Sequence, residues 1–363
     1  MDKVTNKYLI ALNHFPKFGA KRLQLLRNYF SNYKEAFFAS YNDLIEAGIP
    51  EKIAHEFIAA RENINIDEIL KILEKENIKT ISISEEKYPK LLKEIHDPPI
   101  LLYYKGKINK EDLNIAIVGS RKNTQYGQQV CEQFSYELSQ TNIEIVSGLA
   151  LGIDTIAHNT TIKNNKRTIA VLGTGIDEQS LYPASNKYLA HKIIETGGLL
   201  ISEFPIGTPP LRFNFPQRNR IISGLSLGVV VIEANERSGA LITAEIALEQ
   251  NRDVFAIPGN IYSPASRGTN SLIKQGAKLI TNSQEILEFL DLKQISANIE
   301  TKKIIPETLE EAIILEFLSK EPTHINELVR LTRLDTATIN STLTIMEMKG
   351  NVKNLGGMEY ILN

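Results

Sequence analysis

The chain has 363 residues, of which 42% are hydrophobic and 23% charged, a balance typical of a folded protein with two or three domains. A formal net charge of -2 excludes a uniformly basic protein, so the binding of any polyanion requires local segregation of charge. No run reaches the roughly 18 apolar residues of a membrane helix, and the amino terminus lacks a cleavage site. We therefore expect a cytoplasmic protein without membrane contact.

Residues 1–64 are predicted to form a small SAM-like helical domain, because apolar residues recur there at helical spacing between glycine and proline breaks. Between Pro16 and Lys34 the sequence contains five cations and no acid. The turn from Phe18 to Arg22 precedes a helix and is a weak helix-hairpin-helix signature, in which backbone N–H groups would meet a phosphate. A solvated helix face joined to a glycine turn is an equally good interpretation.

Residues 65–292 show a repeated rhythm of strand, loop and helix. After strands at 79–83 and 99–106, short apolar runs occur at residues 115–118, 143–146, 169–172, 199–201, 229–232, 254–257 and 278–280. Most of these runs are continuous rather than alternating, which predicts strands that are covered on both faces. The fold class is therefore predicted to be α/β, an extended Rossmann-like, doubly wound sheet. The single cysteine, Cys131, lies in a helical pattern and excludes an internal disulfide and a cysteine-based zinc site.

Four windows of this domain contain Lys or Arg but neither Asp nor Glu: residues 113–131, 155–176, 204–232 and 254–284. In doubly wound sheets ligands bind beyond the carboxyl ends of the strands, where the loops of these windows lie. The Gly119-Ser-Arg121 turn supplies backbone N–H groups, a hydroxyl and a guanidinium, which suit phosphate oxygens. The windows therefore predict an anion-binding surface.

A dinucleotide does not suit this surface, because Glu178 stands where the third glycine of a G-x-G-x-x-G motif beginning at Gly173 would be. An extended polyanion explains the windows better. Single-stranded nucleic acid presents spaced phosphates and bases that stack on aromatic rings, and Phe213 and Phe215 lie close to three arginines. We expect at least one of these two phenylalanines to face solvent; the alternative places one of them under the sheet.

Five motifs, in this order, resemble the DprA/Smf family of bacterial DNA-processing proteins: residues 117–121, 146–154 with His158, 215–224, 238–244 and 255–259. The resemblance covers about residues 80–290. It implies a protein that binds single-stranded DNA, protects incoming strands in natural transformation and loads RecA onto them. It also implies no catalysis, and we expect no cofactor and no metal ion.

The resemblance, together with the acid-free windows, assigns a set of candidate nucleic-acid contacts: Gly119, Ser120, Arg121, Arg167, Phe213, Phe215, Arg218, Asn219, Arg220, Arg267 and Lys274. Family members are similar in forming homodimers through the last part of the sheet domain. Here the candidate interface is the segment 270–280, with Leu272, Ile273 and Leu279 as apolar contacts. The alternative is that these three side chains belong to the core.

A linker is predicted at residues 293–306, followed by a winged-helix domain at 307–363 with three helical patterns and a hairpin. A helix beginning at Thr336 would be the recognition helix. Residues 307–363 contain five Lys and Arg against nine Asp and Glu, a net charge of about -4. Because phosphate contacts dominate DNA affinity, we favour a protein-interaction or regulatory role for this domain over duplex binding.

An enzyme is the rival class. Similar sheets occur in nucleoside-monophosphate phosphoribohydrolases, where Glu245 of this chain would stand near the catalytic glutamate, and Asp154 with His158 would form an acid–base pair. The residues before this helix are Arg237-Ser-Gly, however, where those enzymes begin Pro-Gly-Gly. An aspartate and histidine at helical spacing more often cap and order a loop. We therefore predict a protein without enzymatic activity.

Overall fold

The structure is a computed structural model and describes residues 3–109, 113–290, 306, 308–319 and 321–362. The chain divides into two compact units, residues 1–299 and 300–363. Most of the predicted linker, residues 293–305, lies outside the described residues. The finer boundaries at residues 64 and 292 stay predictions. Within the described ranges, no helix combines the length and the apolar character needed to cross a bilayer.

The first unit begins with a helical module. Its helices are α1 (Lys3–Asn13), α2 (Ala20–Tyr29), α3 (Tyr33–Phe38), α4 (Tyr41–Glu46), α5 (Glu51–Arg61) and α6 (Ile66–Lys75). Local polar groups define where helices start: Ser40 and Asp43 form a capping box at α4. The core of the module contains the packed rings of Phe15, Phe18 and Phe57, whose centroids are 4.6 to 5.4 Å apart. The helical prediction is confirmed.

The rest of the first unit is one mixed sheet with helices on both faces. Its strands are β1 (Lys79–Ser82), β2 (Leu101–Gly106), β3 (Asn114–Val118), β4 (Glu144–Ser147), β5 (Thr168–Val171), β6 (Leu199–Ser202), β7 (Gly228–Val231), β8 (Asp253–Ala256) and β9 (Lys278–Leu279). Its helices are α7 (Lys90–Lys93), α8 (Gln125–Ser139), α9 (Ile153–Lys163), α10 (Lys187–Glu195), α11 (Asn214–Gly224), α12 (Gly239–Glu249), α13 (Arg267–Lys274) and α14 (Gln284–Phe289).

The strand order is β1-β2-β6-β5-β4-β3-β7-β8-β9. Strands β3 to β9 pair in parallel, and β2 pairs antiparallel with β1 and β6. Along β3, Ile115 and Ile117 enter one buried cluster while Ala116 and Val118 enter the other, as strand pleating requires. The predicted doubly wound sheet is confirmed. Its strand order reverses between β3 and β7, where such sheets bind ligands.

The second unit has the order of a winged helix. It contains α15 (Leu309–Phe317), β10 (Thr323–His324), α16 (Ile325–Thr332), α17 (Thr336–Met348), β11 (Val352–Gly356) and β12 (Glu359–Leu362). The strands form an antiparallel sheet in the order β10-β12-β11. Asp335 caps α17 by accepting the N–H groups of Ala337 and Thr338, and Leu343 and Met346 face the core. The winged-helix prediction is confirmed.

Asp154 and His158, the acid–base pair of the enzyme hypothesis, are both buried. Asp154 Oδ2 accepts the N–H groups of Gly148 and Ala150 at 3.1 and 3.3 Å and so orders the loop after β4. Thr168 Oγ1 donates to the Ile145 carbonyl and lies 2.8 Å from His158 Nδ1, so Nδ1 carries the proton and donates to Thr168. Burial lowers the pKa of His158 to about 3, which keeps its ring neutral. Asp154 therefore orders a loop, as the sequence favoured, whereas His158 is a neutral core residue that bonds to Thr168 of β5.

The buried histidine predicts a pH dependence of stability. Since its pKa falls from 6.5 in the unfolded chain to about 3 in the fold, its stabilising contribution is complete above pH 6.5 and is lost as the pH falls toward 3. Replacing His158 by Asn keeps an N–H donor but removes this titration. In urea unfolding, we expect the free energy of unfolding of His158→Asn to depend less on pH in this window, by at most about 1.4 kcal/mol per pH unit. The exposed His96→Asn is the control; equal slopes for both variants would contradict the prediction.

Candidate nucleic-acid interface

Seven parallel strands end at the same edge of the sheet, and the loops that follow six of them, β3 to β8, form one continuous surface. We call this surface the rim; it comprises residues 119–124, 148–152, 172–183, 203–213, 232–238 and 257–266. Three of the four acid-free windows contain the loops after β3, β6 and β8. The fourth, residues 155–176, contains the first part of the loop after β5.

The centre of the rim is a column of one cation and two rings. Arg121 is exposed, and its guanidinium carbon lies 5.5 Å from the centroid of the Phe215 ring. The ring of Phe215 also contacts that of Tyr182, with the two ring centroids 5.9 Å apart. A Cβ atom added to Gly173 would approach Phe215 Cδ1 to 2.9 Å, so the ring occupies the space that this glycine leaves free. The column thus presents a guanidinium supported from beneath by aromatic carbon.

Of the two phenylalanines, Phe213 is the one that faces solvent. It is 68% exposed at the start of α11, whereas Phe215 is partly buried in the column. The expectation that at least one of the pair is exposed is confirmed. Arg212 beside it is also exposed, so a free aromatic face and a free guanidinium are adjacent in the chain.

Arg218 lies beneath the rim rather than on it. Only 4% of the residue is exposed, and Nη1 donates to the carbonyl oxygens of Gly148, at 2.6 Å, and of Val171. Burial lowers the pKa of Arg218 to about 10, an effect that the Asp154 carboxylate opposes and Arg121 reinforces. At this pKa the guanidinium is still charged at neutral pH. The direct phosphate contact expected from the sequence is therefore replaced by a bridge between the loops after β4 and β5.

The next two residues of the motif are also inside the protein. Asn219 is 9% exposed and its side chain donates to the Gly239 carbonyl at 3.4 Å. Arg220 is 6% exposed; its Nη2 lies 2.5 Å from Glu203 Oε2 and its Nε lies 3.1 Å from Asp97 Oδ2. Neither side chain is on the rim surface, so the structure gives both a supporting position where the sequence expected a contact.

Arg167 is at the wrong edge of the sheet for a rim contact. It immediately precedes β5, at the amino end of the strand, where Nε pairs with Glu144 at 3.2 Å and Nη2 donates to the Lys107 carbonyl at 2.8 Å. Helix α9 returns the chain to this edge before β5 begins, and the acid-free window 155–176 runs through the turn. The window therefore spans both edges of the sheet, and the sequence alone did not separate them.

Arg267 and Lys274 stand at opposite ends of α13. Arg267 begins the helix next to the rim and is exposed, with Nη1 3.7 Å from Glu236 Oε1. Lys274 is exposed in the last turn, about 10 Å further along the helix axis. Only Arg267 is thus adjacent to the rim.

Most carboxylates of the rim loops face inward. Glu233 is 2% exposed and accepts hydrogen bonds from the backbone N–H and the hydroxyl of Thr124, at 2.9 and 2.5 Å. Asp177 is 6% exposed and accepts from Ser180 Oγ and from the Gly207 N–H, both at 2.8 Å. Among the described rim residues, the exposed acids are Glu178 and Glu236. The rim therefore presents cations outward and uses its buried acids to tie loops together.

Sequence analysis missed three aromatic side chains that the structure exposes at or beside the rim. Tyr182 belongs to the central column, Tyr126 donates its hydroxyl to the Pro258 carbonyl at 2.7 Å, and Tyr262 is 84% exposed in the loop after β8. Each lies in or next to a loop that follows a strand. An aromatic residue at such a position was the available signal, which a pattern of charges along the chain does not register.

The three candidate dimer contacts differ in exposure. Leu272 is 6% exposed and Ile273 packs against the core, whereas Leu279 is 43% exposed in β9. Strand β9 is an edge strand of the sheet, and Leu279 lies in it. The homodimer stays a prediction, with Leu279 as its exposed apolar residue.

The fold defines an extended Rossmann-like protein with a winged-helix unit, and its rim is suited to an anion. Comparison with known families agrees: the model described as DNA recombination-mediator protein A matches residues 79–291, and the model of the DprA winged helix domain matches residues 300–358. Protein Smf of Synechocystis sp. is 34% identical over 97% of this chain and 98% of its own length. The chain therefore belongs to the DprA/Smf family of DNA-processing proteins.

Two solved structures of the family are similar to this chain. The X-ray structure of DNA processing protein A from Streptococcus pneumoniae has a TM-score of 0.66 and 38% identity, covering 78% of this chain and 97% of that one. The structure from Helicobacter pylori, whose description concerns a single-stranded DNA binding mode, has a TM-score of 0.54 and 31% identity, covering 60% of this chain and 97% of that one.

The positions of Arg121 and Arg218 predict unequal effects of their substitution on stability. Arg218→Ala leaves the carbonyls of Gly148 and Val171 without a donor and the buried Asp154 without its cation, so we expect the free energy of unfolding to fall by about 3 kcal/mol. Arg121→Ala removes an exposed side chain and is expected to change it by about 0.5 kcal/mol or less. Urea unfolding measures both; equal losses in the two variants would contradict the assignment of Arg218 to a buried bridge.

Proposed function

We propose that this chain binds single-stranded DNA along the rim and catalyses no reaction on it. The observation that carries the proposal is the exposed ring of Phe213 next to the Arg121–Phe215–Tyr182 column, on a surface whose carboxylates are mostly buried. Exposed aromatic faces stack on unpaired bases, and guanidinium groups pair with the phosphates between them.

An unpaired strand fits this surface better than a duplex does. Base stacking on an aromatic side chain is worth about 1–3 kcal/mol per base, and it requires the open base face that a duplex keeps inside its own stack. The Helicobacter pylori relative is described as binding single-stranded DNA, which supports the same ligand here. A mononucleotide would use one such contact and leave the remaining rim loops without a role.

The contacts that we propose are Gly119, Ser120 and Arg121 for phosphate, Phe213 for a base, and Phe215 as the support of Arg121. Gly119 packs closely against Ile153 and the Glu233 carbonyl, since an added Cβ would lie 2.7 Å from Ile153 Cγ1. Arg218 and Asn219 hold the rim loops from below. Arg267 extends the cationic surface, and Lys274 lies beyond it.

The resemblance to the family also suggests a cellular role. We propose that the chain acts in the cytoplasm, protects incoming strands in natural transformation and loads RecA onto them, as the resemblance implies. A homodimer through the β9 edge would present two rims to one strand, and the second rim would then bind at a high effective concentration. The exposed Leu279 supports this choice of interface.

The winged-helix unit is proposed to bind a protein partner. Helix α17, which would be the recognition helix, contains no Lys or Arg and ends with Glu347 in its last turn, so it offers no cation to a phosphate backbone. The same unit exposes Met348, Leu309 and Met358 at 85%, 79% and 63%. Exposed apolar side chains on an acidic surface are suited to a protein with a basic and apolar face.

The enzyme alternative has no comparable support. Glu245 is exposed in the middle of α12, about 9 Å along the helix axis from Gly239, rather than in a rim loop. Burial also keeps His158 neutral and committed to Thr168.

The proposal predicts preferential binding of single strands. In fluorescence anisotropy, we expect labelled oligo(dT) to bind well above a matched duplex, with a logarithmic salt slope of about -0.7 for each phosphate neutralised. Phe213→Ala should weaken binding by about 1–3 kcal/mol. Phe38→Ala, which removes an equally aromatic side chain that is 59% exposed in the helical module, is the matched control. Equal affinity for duplex, or equal loss in both variants, would refute the rim assignment.

Removing the winged-helix unit tests the division of roles. A chain that ends at residue 299 retains the whole first compact unit and its rim. Because the removed unit is acidic and its α17 has no cation, we expect the affinity for oligo(dT) to change by about twofold or less. A loss of binding in a variant that keeps the thermal stability of the first unit would show that the winged helix contacts DNA.

A further inference from the structure

A second cationic concavity lies within the first compact unit, where the helical module meets the sheet domain. It is a cleft of about 470 Å³, and the lining residues that matter here are Gly19, Lys21 and Arg22 on one side and Gln217 and Arg220 on the other. We propose that this cleft binds a backbone phosphate of the DNA strand that lies on the rim. This inference rests on the proposed function and assigns a part of the strand's path to the helical module.

The start of α2 supplies one half of the cleft. The first N–H groups of a helix lack acceptors within the helix, and Gly19, which precedes α2 in an extended conformation, has no side chain to cap them. The first turn contains no acid and carries Lys21 and Arg22. Helix α2 has 10 residues, so its aligned dipole also favours an anion at this end. The turn that the sequence marked as a weak helix-hairpin-helix signature is this helix start.

Arg220 supplies the other half of the cleft. It lines the cleft although it is only 6% exposed, and its Nη1 has no hydrogen-bond partner among the described residues. Its other nitrogens already pair with Glu203 and Asp97. A buried guanidinium nitrogen without an acceptor is costly, and a phosphate oxygen is an acceptor that would satisfy it.

Two carboxylates face Arg220. Asp97 also lines the cleft and its side chain is 35% exposed, so it lowers the local positive potential. Glu203 is on the buried side of Arg220, and burial raises its pKa. Lys21 and Arg22 add two cations to that of Arg220, so the cleft keeps an excess of positive charge over the two carboxylates.

Helix α11 connects the cleft to the rim. Phe213 precedes this helix at the rim, and Gln217 follows one turn later in the cleft wall, about 6 Å along the helix axis. A strand that stacks a base on Phe213 therefore needs only a short further length to place a phosphate between α2 and Arg220. Free inorganic phosphate has the same chemistry, and the experiment separates the two sources.

The test compares Lys21→Glu with Lys34→Glu. Lys34 is an exposed lysine of α3 outside the cleft lining, so both variants change the net charge equally. Affinities are measured for oligo(dT) of about 6 and about 16 nucleotides, which span the usual range of site sizes on a protein domain. We expect Lys21→Glu to weaken the long oligonucleotide about tenfold and to leave the short one within about twofold. Lys21→Ala should make the logarithmic salt dependence of affinity for the long oligonucleotide shallower, reducing the magnitude of its slope by about 0.7.

Each other outcome removes the inference. Equal losses in the two Glu variants would mean that only overall charge matters, and equal losses at both lengths would place Lys21 in the rim site. If inorganic phosphate raises the melting temperature of the wild type but not of Lys21→Ala, while Lys21→Glu binds the long oligonucleotide normally, the cleft holds free phosphate instead of DNA. The proposed function fails separately, when the unaltered chain binds neither oligonucleotide. Both variants must first keep the wild-type melting temperature, and Lys21→Ala serves if the Glu variant does not.

Discussion

The bridge from the Arg218 guanidinium to the carbonyl oxygens of Gly148 and Val171 is the interaction on which the binding surface depends. It joins the loops that follow two adjacent strands, and it places a positive charge directly under the rim. Asp154, on the helix that follows the first of these loops, offsets that charge and accepts the N–H groups of Gly148 and Ala150. A guanidinium suits this position because its planar fork donates in two directions at once and stays charged when buried.

The fold was readable from the sequence because its strands are short, continuous and apolar. Runs such as that of β3 admit no amphipathic alternative, and the parallel pairing then places every strand's carboxyl end at one edge. The position of Arg121 on that edge followed from its place directly after β3, where chain position and sheet geometry were enough. Which of Phe213 and Phe215 faces solvent stayed open, because the helix α11 that separates their environments was not predicted.

The depth of Arg218, Asn219 and Arg220 was not readable from the sequence. An absence of nearby acids along the chain suggests that an arginine meets an external anion, but backbone carbonyls, or a carboxylate far away in sequence such as Asp97, can pair with a guanidinium instead. Both kinds of partner come from elements far away in sequence. The prediction for Arg167 was wrong for a different reason. A count of charges along a window does not show that a helix has carried the chain to the opposite edge of the sheet.

The inward-facing carboxylates of the rim have a further consequence for the thermodynamics of association. Glu233 holds Thr124 and Asp177 holds Gly207, so both loops keep one conformation before any ligand arrives. A flexible polymer that settles on such a surface loses its own freedom, while the protein has little left to lose. The entropy penalty then falls almost entirely on the polymer. Polymers that are already stiffened by stacking of their own bases should incur less of this penalty than flexible ones.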